Sequence, residues 1–532
     1  EIDRNTFYIQ DDYMLSDRLN LTFGLRYDEL STSDAPQEIP KFVEVYGFSN
    51  TATLDGIDLL QPRFSADLAL DDVSSLNFSM GRYMGRNPMV WVSNSYNYGA
   101  NPLFYERTDR NCSGLAVQGS LDPCVASSFD NFDASDIMGD MDFIAPDLEA
   151  PFDDRYSLVY KTLVDMTPIG LGPNWDFTAS YIRINKRKEF VTRKISGVGA
   201  PNGFYPGTPS ERYPDGKVVH QDSGYYGGIY PDNYVFGLYT QGAGSKAENI
   251  TLELAKYFDN DIDLYFAYNG NDATELSPLT SSRAASNTPN NVWTGNQFNY
   301  PVSKRSIYET EHKFVLSLII NRNHFANLNT SYGFTFTRKS GNPYSWTFDA
   351  GRSEPWDGYR NNSFGLEYDL NRRNSGLLYI PTADDPNVCY GSCENPDDAF
   401  KAQFLDVIAA LGLSDYAGSV VPAGTHTHNW VTTSTFQIRQ ELPGLYEGHS
   451  GEIYFTMNNF LNFLNDEWGR VDYGMYNGIR PLVRFTTTDD LSKYIYTGFS
   501  SDSFDPDNPD GAWRTSGYQS VWRARIGFKY RF

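Results

Sequence analysis

A chain of 532 residues with a formal net charge of −24 excludes a nucleic-acid-binding surface, which needs clustered Lys and Arg to meet phosphate. The 38 Tyr, 35 Phe and 9 Trp make it 15% aromatic, yet its mean hydropathy is polar. There is no run of about 18 apolar residues, so a transmembrane helix is excluded and any spanning falls to strands.

The chain opens on Glu1-Ile2-Asp3-Arg4 with no signal peptide and runs straight into a strand pattern, the expectation for a processed chain or one lacking its N-terminal part. Leu19, Leu21, Phe23, Leu25 and Tyr27 alternate with Asn20, Thr22, Gly24, Arg26 and Asp28. The same period of two returns at Trp175 to Tyr181, Ile262 to Tyr268, Leu328 to Phe336 and Ile453 to Met457. Successive strand side chains point to opposite faces, so each segment predicts one apolar and one polar face. Only Phe314 to Ile320 is less clean, because Val315 and Ile319 would face the polar side.

Short turn-like links are predicted at Leu15 to Arg18, Asp71 to Ser74, Phe258 to Asp261, Asn321 to His324 and Pro443 to Gly451. Long segments separate them, at residues 31–59, 85–154, 196–246, 274–308, 339–430 and 461–517. Strict alternation of tight and extended connections belongs to outer-membrane β-barrels, with short periplasmic turns and long extracellular loops. It predicts about 13 strands, the last descending to the periplasm. An odd count in an open sheet would leave two backbone edges unsatisfied in lipid, so residues 1–532 are expected to be the C-terminal part of a larger barrel.

The long segments carry the candidate sites. Cys112 and Cys124, then Cys389 and Cys393, form two close pairs in loop-like stretches and predict two local disulfides in an oxidising space. Trp91, Tyr96, Tyr98, Tyr225, Tyr226, Tyr230 and Tyr234 are loop aromatics that either bind a ligand, join an aromatic girdle or pack loop against loop. Asn395 as cap, Pro396 at the first helical position and an apolar face of Phe400, Phe404, Val407, Ile408 and Leu411 predict a loop helix, stabilising the loop or acting as a lid. His426 and His428 would share a strand face, but no third metal ligand accompanies them. Asp502, Asp505, Asp507, Asn508 and Asp510 offer hard oxygen ligands to calcium without the spacing of an EF-hand; a solvated acidic loop is the simpler account. No nucleophile elbow or phosphate-binding loop is found, so no enzyme is expected.

The last strand is the clearest. From Ser520 to Phe532 the even positions are Ser, Trp, Ala, Ile, Phe, Tyr and Phe, while Arg523, Arg525, Lys529 and Arg531 share the odd face with Gly527. Its ending, with Arg525, Gly527, Tyr530 and Phe532, resembles the C-terminal assembly signal of bacterial outer-membrane barrels.

Further stretches resemble the Oar-like branch of the TonB-dependent outer-membrane transporters. Tyr8 to Asp12 followed by Leu19 to Asp28 is similar to a mid-barrel hairpin of that superfamily. Asp272 to Ser282, Ser340 to Ser345 and Leu378 to Pro381 resemble Oar-like segments, and Asn458 to Asn465 with Trp468-Gly469 resembles the penultimate-strand motif. The resemblance implies a 22-stranded barrel, an N-terminal plug and a TonB box that contacts the TonB-ExbB-ExbD energy complex. None of those N-terminal parts occurs here, and 13 strands would be the tenth through the last of 22. The expected protein is a Gram-negative outer-membrane transporter in contact with lipid, taking an unidentified extracellular ligand. Export or surface anchoring of a polypeptide, and a passive pore, are the alternatives; substrate and ligand-binding residues stay open.

Overall fold

The computed structural model describes residues 1–85, 89–96, 141–195, 213–217, 235–242, 244–282, 287, 292, 294–295, 300–349, 376–473, 478–488, 490–500, 504–509 and 514–532. Thirteen strands follow one another along a single antiparallel sheet. They are β1 (Ile2–Ser16), β2 (Leu19–Thr32), β3 (Asp58–Ala69), β4 (Ser75–Met84), β5 (Phe152–Met166), β6 (Gly172–Lys194) and β7 (Lys246–Phe258). β8 (Ile262–Glu275), β9 (His312–Phe325), β10 (Leu328–Lys339), β11 (Val431–Pro443), β12 (Ser450–Asn458) and β13 (Arg523–Arg531) complete the path. Each strand pairs with its neighbours in sequence, so the fold is all-β, of the transmembrane antiparallel barrel type.

The register joins the separate sequence patterns into one surface. Ile9 lies opposite Leu25, Phe23 opposite Phe64, Met80 opposite Tyr156, and Leu158 opposite Tyr181. Tyr181 then meets Ile250, and Phe266 meets both Leu254 and Leu316. Leu318, Phe334 and Phe436 line up in turn, followed by Ile438, Phe455 and Ile526. One face is therefore apolar from the first strand to the last, and much of it is bare: Ile9 is 72% exposed, Phe23 50% and Ile526 73%. An apolar sheet face of this extent would collapse or aggregate in water, so its solvent is lipid.

The opposite face is polar and bonded to itself. Thr22 donates to Asp12 at 2.6 Å, Ser79 and Ser157 share a 2.7 Å bond, and Tyr265 donates to Glu253 at 2.9 Å. Val315 and Ile319 do lie on this side, opposite Ala267 and Asp263.

Every long connection leaves from the same end of the sheet. The short end holds six links, one more than the sequence pattern picked out: residues 167–171, where Thr167–Ile169 form a 3-10 turn between β5 and β6. The β9–β10 turn also falls later than expected, at Ala326 and Asn327, both in left-handed backbone. Asn321 to His324 are still in the β9 strand, because residues Asn321, Arg322 and Asn323 continue the ladder with Ser331, Thr330 and Asn329.

Among the described residues, β1 and β13 each pair on one side only. The β6 strand, at 23 residues, is about twice what a bilayer crossing requires. Its last seven residues, Lys188 to Lys194, extend past the ladder with β7 and pair with Val235–Gly242, carrying the wall into the loop region.

Candidate functional site

Among the described residues of the long connections, apolar cores form in two regions. The larger one joins the β10–β11 and β12–β13 connections. Strand Pro343–Asp349 pairs in parallel with Ile479–Thr487, which pairs with Tyr494–Phe499, which in turn pairs with Val388–Tyr390. Trp346, Phe348, Leu378, Phe404, Leu482, Tyr494 and Tyr496 are buried between this small sheet and the helix Asp398–Ala410.

The predicted helix is present, but its cap is Asp397 and not Asn395. The Asp397 carboxylate accepts the Phe400 amide at 2.9 Å, which satisfies an otherwise orphaned N–H at the helix start. Asn395 belongs to the turn before it, where its own amide donates to Ser392 Oγ at 3.0 Å. Cys389, in the strand Val388–Tyr390, is disulfide-bonded to Cys393 in the turn that leads to the helix. Cys112 and Cys124 lie outside the described residues.

A third connection reaches into this core. Tyr213 stacks on Tyr494 with ring centroids 6.2 Å apart, and the Lys217–Asp215 ion pair is buried beside it. The tyrosines there are poor acids: burial holds the Tyr494 and Tyr496 hydroxyls far above their ordinary range.

His426 and His428 have different roles. His426 accepts from Trp346 Nε1 at 2.9 Å through Nδ1, and its Nε2 faces the Leu411 carbonyl at 3.0 Å. Both nitrogens are thereby committed to joining the helix end to the sheet. His428 packs on the Tyr344 ring at 4.8 Å. Burial, then the Arg480 guanidinium, lower its pKa to about 4, with Asp472 opposing.

The second core lies over β1 to β6. Leu30, Leu54, Trp91, Val92, Ile144 and Phe190 form one cluster, and Ile39, Phe42, Met141, Phe143 and Val235 form another. A cavity of about 690 Å³ opens beside it at the start of β1, lined by Glu1, Ile2, Thr32, Asp34, Met89, Val90, Val92, Ser93 and Tyr96. Its walls combine methionine and valine side chains with the Asp34 carboxylate and the Tyr96 phenol, whose hydroxyl donates to the Asp34 carbonyl at 2.7 Å.

Of the loop aromatics, Tyr96 reaches this cavity. Trp91 is 8% exposed, and its indole N–H donates to the Ser281 carbonyl at 3.0 Å, so it packs loop against loop. Tyr98, Tyr225, Tyr226, Tyr230 and Tyr234 lie outside the described residues. Asp34, Met89 and Ser93 carried no sequence signal, because nothing in their spacing marks a pocket assembled from two different connections.

Below the mouth, the polar wall carries one tightly satisfied carboxylate. Asp28, 1% exposed, accepts from Thr6 at 2.7 Å, Arg26 at 3.0 Å and Gln61 at 2.6 Å. In the acidic stretch, Asp505 accepts the Asp507 amide at 3.0 Å, a local turn; Asp502 and Asp510 lie outside the described residues. Arg525, Gly527 and Tyr530 sit on the edge strand β13 and Phe532 directly follows it, with Tyr530 Oη accepting from the Leu445 amide at 3.0 Å. The motif after β12 is not strand: Asn459 enters left-handed backbone and Phe460–Leu464 turn into a short helix.

No protein-family model matches the sequence, and no curated protein matches it. Solved structures overlap at low similarity. The outer-membrane transporter YddB from Escherichia coli is 11% identical with a TM-score of 0.44, covering 94% of this chain and 44% of its own. A ferric enterobactin receptor (PfeA) mutant from Pseudomonas aeruginosa is 9% identical, TM-score 0.40, covering 93% and 43%. The FrpB iron transporter (F3-3 variant) from Neisseria meningitidis is 9% identical, TM-score 0.37, covering 87% and 41%. The chain spans less than half the length of these structures.

Proposed function

We propose that this chain forms the ligand-capturing part of an energised outer-membrane transporter of the TonB-dependent, Oar-like type. The observation that carries the reading is the two-faced sheet: an uninterrupted lipid-compatible face, a hydrogen-bonded polar face, and every long connection at one end. Described loop segments folded around their own apolar cores support a structured mouth above the sheet. The protein acts by binding and passage, not by bond chemistry; the driving force would come from the TonB-ExbB-ExbD complex through a plug and TonB box in sequence preceding β1. Strands preceding β1 would complete the barrel in the Gram-negative outer membrane.

The test is uptake in the native host. A deletion strain is expected to lose accumulation of one class of labelled solute, and a strain lacking the energy complex to lose the same uptake. Uptake that persists without the energy complex would point to a passive pore. One protein accumulating in the periplasm of the deletion strain would point to export.

A further inference from the structure

The motif that follows β12 builds a projection on the lipid-facing side of the sheet. Phe460 lies against Phe436 at 5.5 Å and Phe334 at 6.4 Å, both members of the apolar band. The Leu461 amide donates to Ser434 Oγ at 2.9 Å, on the same face of β11. The helix Phe460–Leu464 is therefore laid across the outside of the wall, at the end where the long connections leave.

Two buried asparagines hold it there. Asn459, 7% exposed, donates through Nδ2 to the Gly469 carbonyl at 2.9 Å. Asn462, 9% exposed, donates to the Asp466 and Trp468 carbonyls at 3.0 and 2.8 Å and accepts the Trp522 amide at 3.2 Å. Gly469 is in left-handed backbone, and a Cβ there would stand on the Asn459 side chain. With its polar groups turned inward, the unit presents Phe463, Leu464, Trp468 and Trp522 outward, between 45% and 57% exposed. Phe463 and Trp522 meet edge to face at 5.3 Å.

We propose that this projection is a membrane-interface anchor, seated in the headgroup and acyl boundary of the outer leaflet and fixing how deep the wall stands in the bilayer. Its occupant is lipid because the patch is continuous with the apolar band through Phe460. Indole and phenyl rings at the rim of such a band have the amphipathic character that boundary favours. Asp466, Glu467 and Arg470, with Arg470 paired to Glu467 at 2.9 Å, form its water-facing margin. The inference rests on the transmembrane reading of the sheet.

Nitroxide labels on single cysteines test it in the full-length protein, reconstituted into phosphatidylcholine and phosphatidylglycerol vesicles. Positions 463 and 468 are compared with Phe266 in the band and Gln403 on the exposed side of the loop helix. Heat-modifiable gel mobility verifies folding of each variant. Relaxation by oxygen against a water-soluble nickel chelate is expected to place labels 463 and 468 about 5–10 Å into the boundary, between the other two. Accessibility to nickel equal to that of Gln403, or shielding from both relaxants, would overturn the anchor. Were the label at Phe266 also to face water, the transmembrane reading itself would fail, a result separable from failure of the anchor alone.

Discussion

At the scale of single residues, Gly527 gains a physical reason. It lies directly opposite Tyr454 across the β12–β13 pair, and an added Cβ would fall 2.2 Å from the tyrosine ring. The ring covers the glycine. Gly527→Ala should force Tyr454 away and cost about 1–3 kcal/mol, the usual penalty of overpacking. The expected readout is a lower folded fraction on heat-modifiability gels, with Tyr454→Ala in the same chain restoring part of the loss. The glycine could be read in sequence as part of a terminal motif. Its partner, 73 positions away, emerges only from the register. His428 gives a second prediction. Unfolded, it titrates near 6.5; folded, burial and Arg480 lower that to about 4. The unfolded state therefore binds more protons between those values, and stability falls as pH drops through that window. The slope is at most about 1.4 kcal/mol per pH unit for one proton. Thermal unfolding of the loop core is expected to be lower at pH 5 than at pH 7, and His428→Gln should flatten the difference.

At the scale of elements, the barrel strands were legible because period-two alternation is local: five apolar faces read from spacing all join the same band. The small loop sheet was not, since all seven residues of Pro343–Asp349 are buried or nearly so and show no alternation. A strand covered on both sides looks like any short apolar run. The helix was visible from its apolar spacing, but Asn395 and Asp397 are both competent caps, and only the bond to Phe400 decides between them. The Cys389–Cys393 disulfide was readable from proximity, whereas what it fastens was not. It closes a loop with a sequence separation of 4, and short loops confer the least chain-entropy stabilisation, about 2 kcal/mol here. Replacing both cysteines by serine should lower the unfolding temperature of the loop core, followed by proteolysis within residues 376–428, while the gel mobility of the folded sheet stays unchanged. A fall in both would mean that the loop core and the wall unfold as one cooperative unit.

At the scale of the molecule, the two sheet edges determine what the wall needs. β1 and β13 both run from the long-connection end to the short end, since an odd number of antiparallel strands separates parallel first and last members. Joining them to each other would require a parallel seam, whereas every pair along the path of thirteen described strands is antiparallel. Leaving them apart in lipid would strand two rows of backbone donors and acceptors, at several kcal/mol for each group. Further strands that pair with both edges remove the conflict. Cysteines placed at Ile9 and Ile526, which lie on the same face of the sheet, separate the alternatives. A direct β1–β13 seam would let them approach and cross-link under mild oxidation, giving a faster-migrating band. The expected result in the full-length protein is no such band, together with a cross-link when a cysteine at Ile526 is paired with one in a strand preceding β1. Cross-linking between Ile9 and Ile526 would establish a thirteen-stranded closed wall, and the proposed larger barrel would be wrong.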